Sequence, residues 1–420
     1  VLGFVNGLTS GFSVKVAQAF GAGDEARVRR AVGMSYLLCV AVAVVVTAVA
    51  VPLTAPLLRL MQTPSAYYDY AYWYLLIIFC GIGATVFYNI VAGLLRAVGD
   101  SRTPLYFLVA AAVLNVGLDF AFIMGCGWHY CGAALATVLS QLLSGGACLA
   151  YALYRYPVLR PARSDFGWDT RLAMGHFAVG LPMALQFSIT AIGCIVQQTA
   201  LNGLDAALPG AVTAYTAASK IDNIANQVFV ALGTALATYA GQNYGAGEFG
   251  RIRRGVLAGM VYVFAGSVIG FAFAVGLCEP LMKLFLNTDL SADVAGNYGA
   301  IIGYGRQFLL WQCSFYPFLG AIYVYRNTLQ GIGRSAVTTF AGVTELAGRV
   351  LASLVFVRVW GFTGVCSSNP VAWVAAVIFL VATYAVVMRR RNNGELPRAR
   401  SRAHRRRLRR SCRIAVRRAS

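Results

Sequence analysis

Charged side chains are scarce in this sequence. Only 12% of the 420 residues are Asp, Glu, Lys or Arg, whereas 59% are hydrophobic and the mean hydropathy is +0.66. The core of a water-soluble domain needs far fewer apolar side chains than this. The scarcity of charge therefore excludes an ordinary soluble protein and predicts a chain that lies in lipid.

Motifs of nucleotide-driven or intramembrane catalysis are also lacking. The sequence has no GxxxxGK[ST] loop, which disfavours a process driven directly by ATP hydrolysis in this chain. Its apolar runs contain no HExxH or GxSxG motif, which disfavours an intramembrane enzyme. The ten cysteines are scattered as single residues and indicate no disulfide framework. The pieces between apolar runs are too short for a soluble catalytic domain. We therefore expect neither an enzyme nor a resident cofactor or metal.

The charge that is present is unevenly distributed. The net charge is +20, but residues 389–420 alone carry 14 Arg and one Glu. A soluble protein of this charge would suggest a nucleic-acid partner, which we do not expect here because most of the charge forms a tail. The tail could bind anionic lipid headgroups. Its Arg, Ala and Ser content without Lys also fits a disordered or artefactual stretch read in a shifted frame.

The chain contains a duplicated unit. The stretch AQAFGAGDEARVRR at 17–30 matches GQNYGAGEFGRIRR at 241–254. A second pair, GLLRAVGDSRTP from Gly93 and NTLQGIGRSAVT from Asn327, follows in the same order and at nearly the same separation along the chain. Ordered matches at a nearly constant offset predict two pseudo-symmetric copies, related by an axis along the membrane normal.

Apolar runs of about 20 residues or more predict the membrane spans. They lie at about 1–20, 31–56, 70–95, 104–125, 131–154, 173–201, 212–241, 252–278, 298–328, 335–358 and 362–388. The second copy thus has six spans and the first has five. The register aligns residue 1 with the second span of the other copy, so we expect one whole helix to precede it. The prediction is an all-α polytopic membrane protein of two six-helix lobes, with about 11 spans present.

The predicted organisation has four parts. An N-lobe at 1–155, a cytoplasmic connector at 156–172 and a C-lobe at 173–388 are followed by the tail at 389–420. Arginines concentrate in alternate loops, and Arg326 is counted among them. The positive-inside rule places those loops and the C-terminus in the cytoplasm. We expect a monomeric, multi-pass protein surrounded by the lipid of the cell inner membrane.

Asp119 and Asn115, in LNVGLDF, are candidates for binding a coupling ion or proton. They are four residues apart in one predicted span, so they share a helix face. Ionisable groups within apolar spans are costly and are functional candidates by default. A carboxylate at this depth could exchange a proton for a cationic substrate. The alternative is an interfacial Asp119 that caps a neighbouring helix.

Two further charged pairs lie in the second copy. Glu345 and Arg349, in GVTELAGRV, are four residues apart, which predicts an ion pair across one helical turn. That pair either stabilises its lobe or takes part directly in coupling. Lys220 and Asp222, in ASKIDN, are two residues apart and face different ways. One of them lines a cavity, or either lies near a kink. Asp222 is a further candidate for binding the coupling ion or proton, and Lys220 is a candidate for the substrate cavity.

A polar stripe marks the first span of the second copy. Gln186, Thr190, Gly193 and Gln197 follow one another at steps of four, three and four, which keeps them on one face of an otherwise apolar helix. Such a stripe faces a cavity or another helix rather than lipid. The small residues favour close packing, and the amides favour a wet substrate cavity.

Six stretches carry a family resemblance. They are GFSVKVAQAFGAGD, LLRAVGDSRTPL, LNVGLDFAFI, GAALATVLSQ, GLPMALQFSITAIG and YAGQNYGAGEFGRI. In this order, over residues 1–388, they resemble the signature stretches of the MATE (multidrug and toxic compound extrusion) family. The resemblance implies two six-helix lobes around a central cavity. It also implies export of bulky cationic or amphipathic compounds, coupled to inward flow of protons or sodium ions.

The resemblance carries over to few individual residues. Asp119 matches the acidic position of the fifth family helix, and Glu345 with Arg349 resembles an acid and Arg pair in the eleventh. Thr190 stands where one branch of the family has an acid in its seventh helix, so the coupling ion remains open. Two alternatives remain, a flippase for lipid-linked saccharides from the same superfamily and a truncated, non-functional remnant.

Overall fold

The regular structure of this chain is helical. A computed structural model describes residues 1–60, 64–204, 208–286 and 297–392, and every regular element within these ranges is a helix or a helical turn. The all-α prediction is therefore confirmed. The predicted tail at 389–420 lies outside the described residues from 393 onward.

The helices are, in chain order, α1 (Leu2–Gly21), α2 (Glu25–Leu60), α3 (Ser65–Cys80), α4 (Ile82–Ala97), α5 (Arg102–Asp119), α6 (His129–Arg155), α7 (Thr170–Asn202), α8 (Ala211–Gly245), α9 (Phe249–Gly276), α10 (Cys278–Phe285), α11 (Tyr298–Ser314), α12 (Tyr316–Gly331), α13 (Ser335–Leu351), α14 (Val357–Trp360) and α15 (Phe362–Asn392). Two π-helical turns, Phe120–Gly125 and Ala352–Phe356, continue α5 and α13. Two 3-10 turns, Pro157–Leu159 and Arg163–Phe166, lie in the predicted connector.

The helices have the length and composition of membrane spans. Eight of the described helical segments can cross a membrane alone, and two bent pairs, α3 with α4 and α11 with α12, raise the number to ten. Helix α1 is not among these segments. It is 20 residues long, and ten of its residues are buried against other parts of the protein. With α1, these elements occupy the predicted span positions. Apolar side chains such as Val113 and Val261, 69% and 70% exposed, lie on the outer faces that lipid covers.

The two bent pairs repeat the duplication in three dimensions. The α3–α4 pair bends by 44° and the α11–α12 pair by 45°. The breaks fall at Gly81 and Phe315, whose separation along the chain equals that of Gly93 and Asn327 in the second pair of sequence matches. At the second break Pro317 lies in the first turn of α12, where it cannot donate a backbone hydrogen bond to the preceding helix.

The chain forms two compact units. The first consists of residues Val1–Ala184 with Gly241–Gly247, and the second contains Leu185–Ala240 and the described residues from Glu248 onward. The first unit thus includes the whole predicted N-lobe and connector, together with the beginning of α7 and the end of α8. The lobe boundaries drawn from the duplication stay a prediction about the repeat.

Small residues bring α1 and the beginning of α7 into backbone contact. A Cβ atom on Gly7 would lie 2.6 Å from the Cα of Ala184, and one on Gly11 would meet the backbone of Gly180. Each helix therefore presents two small residues four positions apart, the spacing that allows close approach of membrane helices. This contact explains why the first half of α7 belongs to the first unit.

The duplicated GAG segments contact each other reciprocally within the first unit. A Cβ on Gly21 would meet the backbone of Gln242, and a Cβ on Gly245 would meet the backbone of Gln18. Gly21 and Gly245 occupy the same place in the two matched stretches, as do Gln18 and Gln242, so the two contacts are equivalent in the repeat. Only glycine allows this approach of the two backbones.

Candidate functional site

A buried group of three charges lies in the second unit. Glu345 and Arg349 form the ion pair that their spacing predicts, with 3.1 Å between Arg349 Nη2 and Glu345 Oε1. Arg326 of α12 makes a second ion pair with the other oxygen, at 2.7 Å between Nη2 and Oε2. Their exposed fractions are 6% for Glu345, 4% for Arg349 and 8% for Arg326. Both carboxylate oxygens of Glu345 are therefore occupied by guanidinium groups.

The place of Arg326 corrects the sequence analysis, which counted it as a loop residue. It lies inside α12, five residues before the helix ends, and contacts α13 rather than water. The signal was present, because position 326 falls within the predicted span at 298–328. Two arginines against one glutamate leave a formal charge of +1. The Nε atoms of Arg326 and Arg349 are buried, and neither has an acceptor among the described residues.

Arg349 also connects the charged group to the polar stripe of α7. Its Nη1 atom donates to the backbone oxygen of Thr190 at 3.3 Å and lies 3.6 Å from Cys194 Sγ. A Cβ on Gly193 would come within 2.8 Å of the same Nη1, so glycine here leaves room for the guanidinium. The Thr190 hydroxyl donates back to the oxygen of Gln186, in its own helix. Within the stripe, the backbone of Thr190 and the glycine at position 193 therefore contact Arg349.

The two glutamines of the stripe contact other helices. Gln186 Oε1 accepts a 2.8 Å hydrogen bond from Gln330 Nε2 of α12. The same Nε2 atom of Gln330 donates to Thr338 Oγ1 of α13 at 3.2 Å. Gln197 Nε2 donates to the backbone oxygen of Val365 in α15 at 3.3 Å. Both glutamines are buried. In this structure the stripe therefore holds α7 against its neighbours, and a role in binding substrate stays a prediction.

Lys220 and Asp222 point to different surroundings. Asp222 Oδ1 accepts a 2.9 Å hydrogen bond from the hydroxyl of Tyr316, a fully buried residue at the bend between α11 and α12. Lys220 is exposed, and its Nζ lies 5.4 Å from the centre of the Phe285 ring. Asp222 thus contacts the bent pair, whereas Lys220 lies against an aromatic ring of α10.

Asp119 ends α5 directly before the π-helical turn Phe120–Gly125. Its Oδ1 atom is buried, and no described residue offers it a hydrogen bond. Asn115, one turn earlier, has its Nδ2 atom 3.5 Å from the hydroxyl of Thr137 in α6. An unpaired carboxylate oxygen within a span is costly, since it has exchanged water for a medium of low polarity. Asp119 is therefore a candidate for binding an ion, in contrast to Glu345.

The predicted candidates fall into two groups. Asp119 and Asn115 belong to the first compact unit, whereas the other seven belong to the second. Among those seven, the structure brings together Glu345, Arg349 and the Thr190 backbone, and it adds Arg326.

Asp100 is the acid of the duplicated GDSRTP segment and lies in the turn between α4 and α5. Its carboxylate accepts hydrogen bonds from the backbone N–H groups of Arg102 and Thr103 and from the hydroxyl of Tyr156. Partial burial alone would raise the pKa of Asp100, but these hydrogen bonds outweigh it and lower the pKa below its ordinary value. Burial, with the neighbouring carboxylate, raises the pKa of Tyr156 to about 12. Asp100 therefore caps the first backbone N–H groups of α5.

Known proteins resemble the chain over most of its length. The family model described as MatE matches residues 1–121 and 182–352. The probable multidrug resistance protein YpnP of Bacillus subtilis (strain 168) is 29% identical over 342 residues, covering 80% of this chain and 71% of that protein. The FAD transporter of Shewanella oneidensis is 25% identical over 279 residues, covering 64% of this chain and 56% of that protein.

A solved structure shares the fold. It is described as the outward-facing conformation of a multidrug resistance MATE family transporter of the MOP superfamily. Its TM-score is 0.82 at 22% sequence identity, over 91% of this chain and 85% of that one. The arrangement of helices is therefore that of these transporters.

Proposed function

The chain belongs to the MatE family, and we propose that it exports cationic or amphipathic small molecules from the cell in exchange for protons or sodium ions. The family match and the named relatives make it a multi-pass membrane transporter of small molecules rather than an enzyme. The coupling ion, the substrate charge and the membrane orientation belong to the proposal. In that orientation the protein lies in the inner membrane with its C-terminus in the cytoplasm, and it works as a monomer.

The observation that supports coupling best is the unpaired carboxylate oxygen of Asp119. A carboxylate within a span can be neutralised by a proton, a sodium ion or the positive group of a substrate. The three compete, because each satisfies the same oxygen. Glu345 is less suited to this exchange, since two arginines already occupy both of its oxygens.

The proposed cycle follows from this competition. A cationic substrate that enters from the cytoplasm pairs with Asp119, and the protein then opens to the outside. A proton or a sodium ion from the outside neutralises the carboxylate, which releases the substrate. Alternating access requires that the ion and the substrate favour different states of the protein.

The direct test is transport by the purified protein in lipid vesicles. The vesicles are loaded with a fluorescent cation such as ethidium, and a proton gradient, a sodium gradient or neither is imposed against it. We expect efflux to require one of the two gradients, and the gradient that drives it identifies the coupling ion. Efflux at the same rate without any gradient would contradict exchange.

A second candidate is the export of an anionic substrate, such as a phosphorylated cofactor or a lipid-linked saccharide. Arg326 favours it, because the charged group in the second unit carries +1 and has two unpaired Nε atoms. The name of the Shewanella relative, an FAD transporter, points in the same direction. Vesicles loaded with FAD instead of ethidium distinguish the two candidates. If a gradient drives efflux of FAD but not of ethidium, the second candidate is favoured.

A further inference from the structure

A cavity lies in the second unit between the beginning of α13 and the end of α15. Its volume is about 340 Å³. Among the residues that line it are Arg334, Val337, Phe379, Val386 and Arg390. It is separate from the buried charged group, because none of the three charged residues or the stripe residues of α7 lines it.

The charges around this cavity have one sign. Arg334 directly precedes α13, and Arg390 lies near the end of α15. Both line the cavity, so the beginning of α13 and the end of α15 place two arginines beside each other there. Both residues are exposed. No acidic residue is among those described as lining the cavity, and neither arginine has an ion-pair partner within the described residues. The cavity therefore offers two cations to an anionic group.

The wall next to the arginines is apolar and faces outward. Val337 and Phe379 are half-buried in the wall, and Val386 is 50% exposed. Phe340, one turn further along α13, is 65% exposed. Outward-facing apolar side chains of a membrane helix contact lipid chains. The cavity is thus open toward the bilayer, with its positive end where the headgroups lie.

We propose that this cavity binds one anionic phospholipid. The phosphodiester lies between the guanidinium groups of Arg334 and Arg390, and an acyl chain runs along Val337, Phe379 and Val386. Arginine suits this role because its planar group makes paired hydrogen bonds with phosphate oxygens. In the proposed orientation of the transporter the site faces the cytoplasmic leaflet.

Two other occupants fit this cavity less well. The chain's own tail at 393–420 carries 11 of the 14 arginines in 389–420, so it is repelled by Arg334 and Arg390. A free phosphate would satisfy the arginines, but it would leave the apolar wall without a partner. A lipid with a phosphate headgroup and an acyl chain fits both parts of the site.

The test is a lipid titration of the full chain in detergent, followed by native mass spectrometry. Phosphatidylglycerol is the anionic probe and phosphatidylcholine the zwitterionic one. A basic side chain at a membrane surface contributes about 1 kcal/mol toward an anionic lipid, so replacing two gives about thirtyfold weaker binding. We expect Arg334→Gln with Arg390→Gln to weaken phosphatidylglycerol binding by about this factor and to leave phosphatidylcholine unchanged.

Two further variants control the experiment. Arg253→Gln with Arg254→Gln removes two exposed arginines at the beginning of α9, which do not line the cavity, and we expect this variant to bind like the wild type. Val337→Trp fills the cavity without changing its charge, and we expect this variant not to bind phosphatidylglycerol. If the Arg253 and Arg254 double variant weakens phosphatidylglycerol binding as much as the Arg334 and Arg390 double variant does, the proposal is overturned. Unchanged binding to Val337→Trp, or displacement of the lipid by millimolar inorganic phosphate, would also overturn it.

Discussion

Replacing Glu345 should destabilise the protein more than replacing either arginine that it contacts. Glu345→Gln leaves two guanidinium groups, Arg326 and Arg349, which are 8% and 4% exposed and have lost their only carboxylate among the described residues. Removing one partner of a buried ion pair costs about 3–5 kcal/mol, because the remaining charge is left uncompensated. We expect a loss of this size in the free energy of unfolding.

Replacing Arg326 should cost less. Arg326→Gln removes a charge-assisted hydrogen bond worth about 1.5–3 kcal/mol, but it leaves Glu345 and Arg349 as a neutral pair. The double variant Glu345→Gln with Arg326→Gln contains one uncompensated arginine instead of two. It should therefore be more stable than Glu345→Gln alone, although it carries more substitutions.

Thermal unfolding of the detergent-solubilised protein can measure this order. A thiol-reactive dye reports exposure of the cysteines that are buried in the fold, which are Cys39, Cys148, Cys278, Cys313 and Cys366. Glu279→Gln is the matched control. Glu279 pairs with Lys283 at the same 3.1 Å and the same spacing of four, but both side chains are more than half exposed. Its loss should cost less than about 1 kcal/mol.

Either of two results would contradict the role given to buried charge. If the double variant unfolds at or below the temperature of Glu345→Gln, the removal of one buried cation has not relieved the other. If Glu279→Gln is as harmful as Glu345→Gln, burial is not the reason for the loss.

The reciprocal glycine contacts give two further predictions. Gly21→Ala should destabilise the protein by about 1–3 kcal/mol, because its Cβ meets the backbone of Gln242, which cannot rotate away. Gly245→Ala, the equivalent change in the repeat, should have a loss of similar size against the backbone of Gln18. Gly250→Ala is the control in the same thermal assay, since nothing lies within 4 Å of its added Cβ. A control as unstable as Gly21→Ala would show that the contact is not the cause.

Local patterns in the sequence predicted the features that one helix contains. The spacing of Glu345 and Arg349 predicted their ion pair because residues four apart meet on one helix. The offset of the repeat indicated two equivalent halves. The bends at Gly81 and Phe315 are separated along the chain by the same distance as Gly93 and Asn327 of the second sequence match. These inferences need only helical periodicity and internal comparison.

Contacts between helices were beyond that reasoning. Arg326 reaches Glu345 across the turn between α12 and α13, and no periodicity relates the two positions. The backbone contact of Gly21 with Gln242 joins segments that are far apart in the chain, although the repeat could have drawn attention to both. The unpaired oxygen of Asp119 depends on which donors surround it, which a sequence pattern does not specify.

The central claim is that Asp119 couples an ion to transport, and the most direct measurement is gradient-driven efflux by Asp119→Asn in lipid vesicles. The amide has nearly the same shape but cannot become a carboxylate. Asp69→Asn, which removes an exposed carboxylate from α3 in the same unit, is the control. We predict that Asp119→Asn is present in the vesicles at wild-type amount but no longer responds to either gradient, whereas Asp69→Asn does. Wild-type efflux by Asp119→Asn under the driving gradient would contradict the claim.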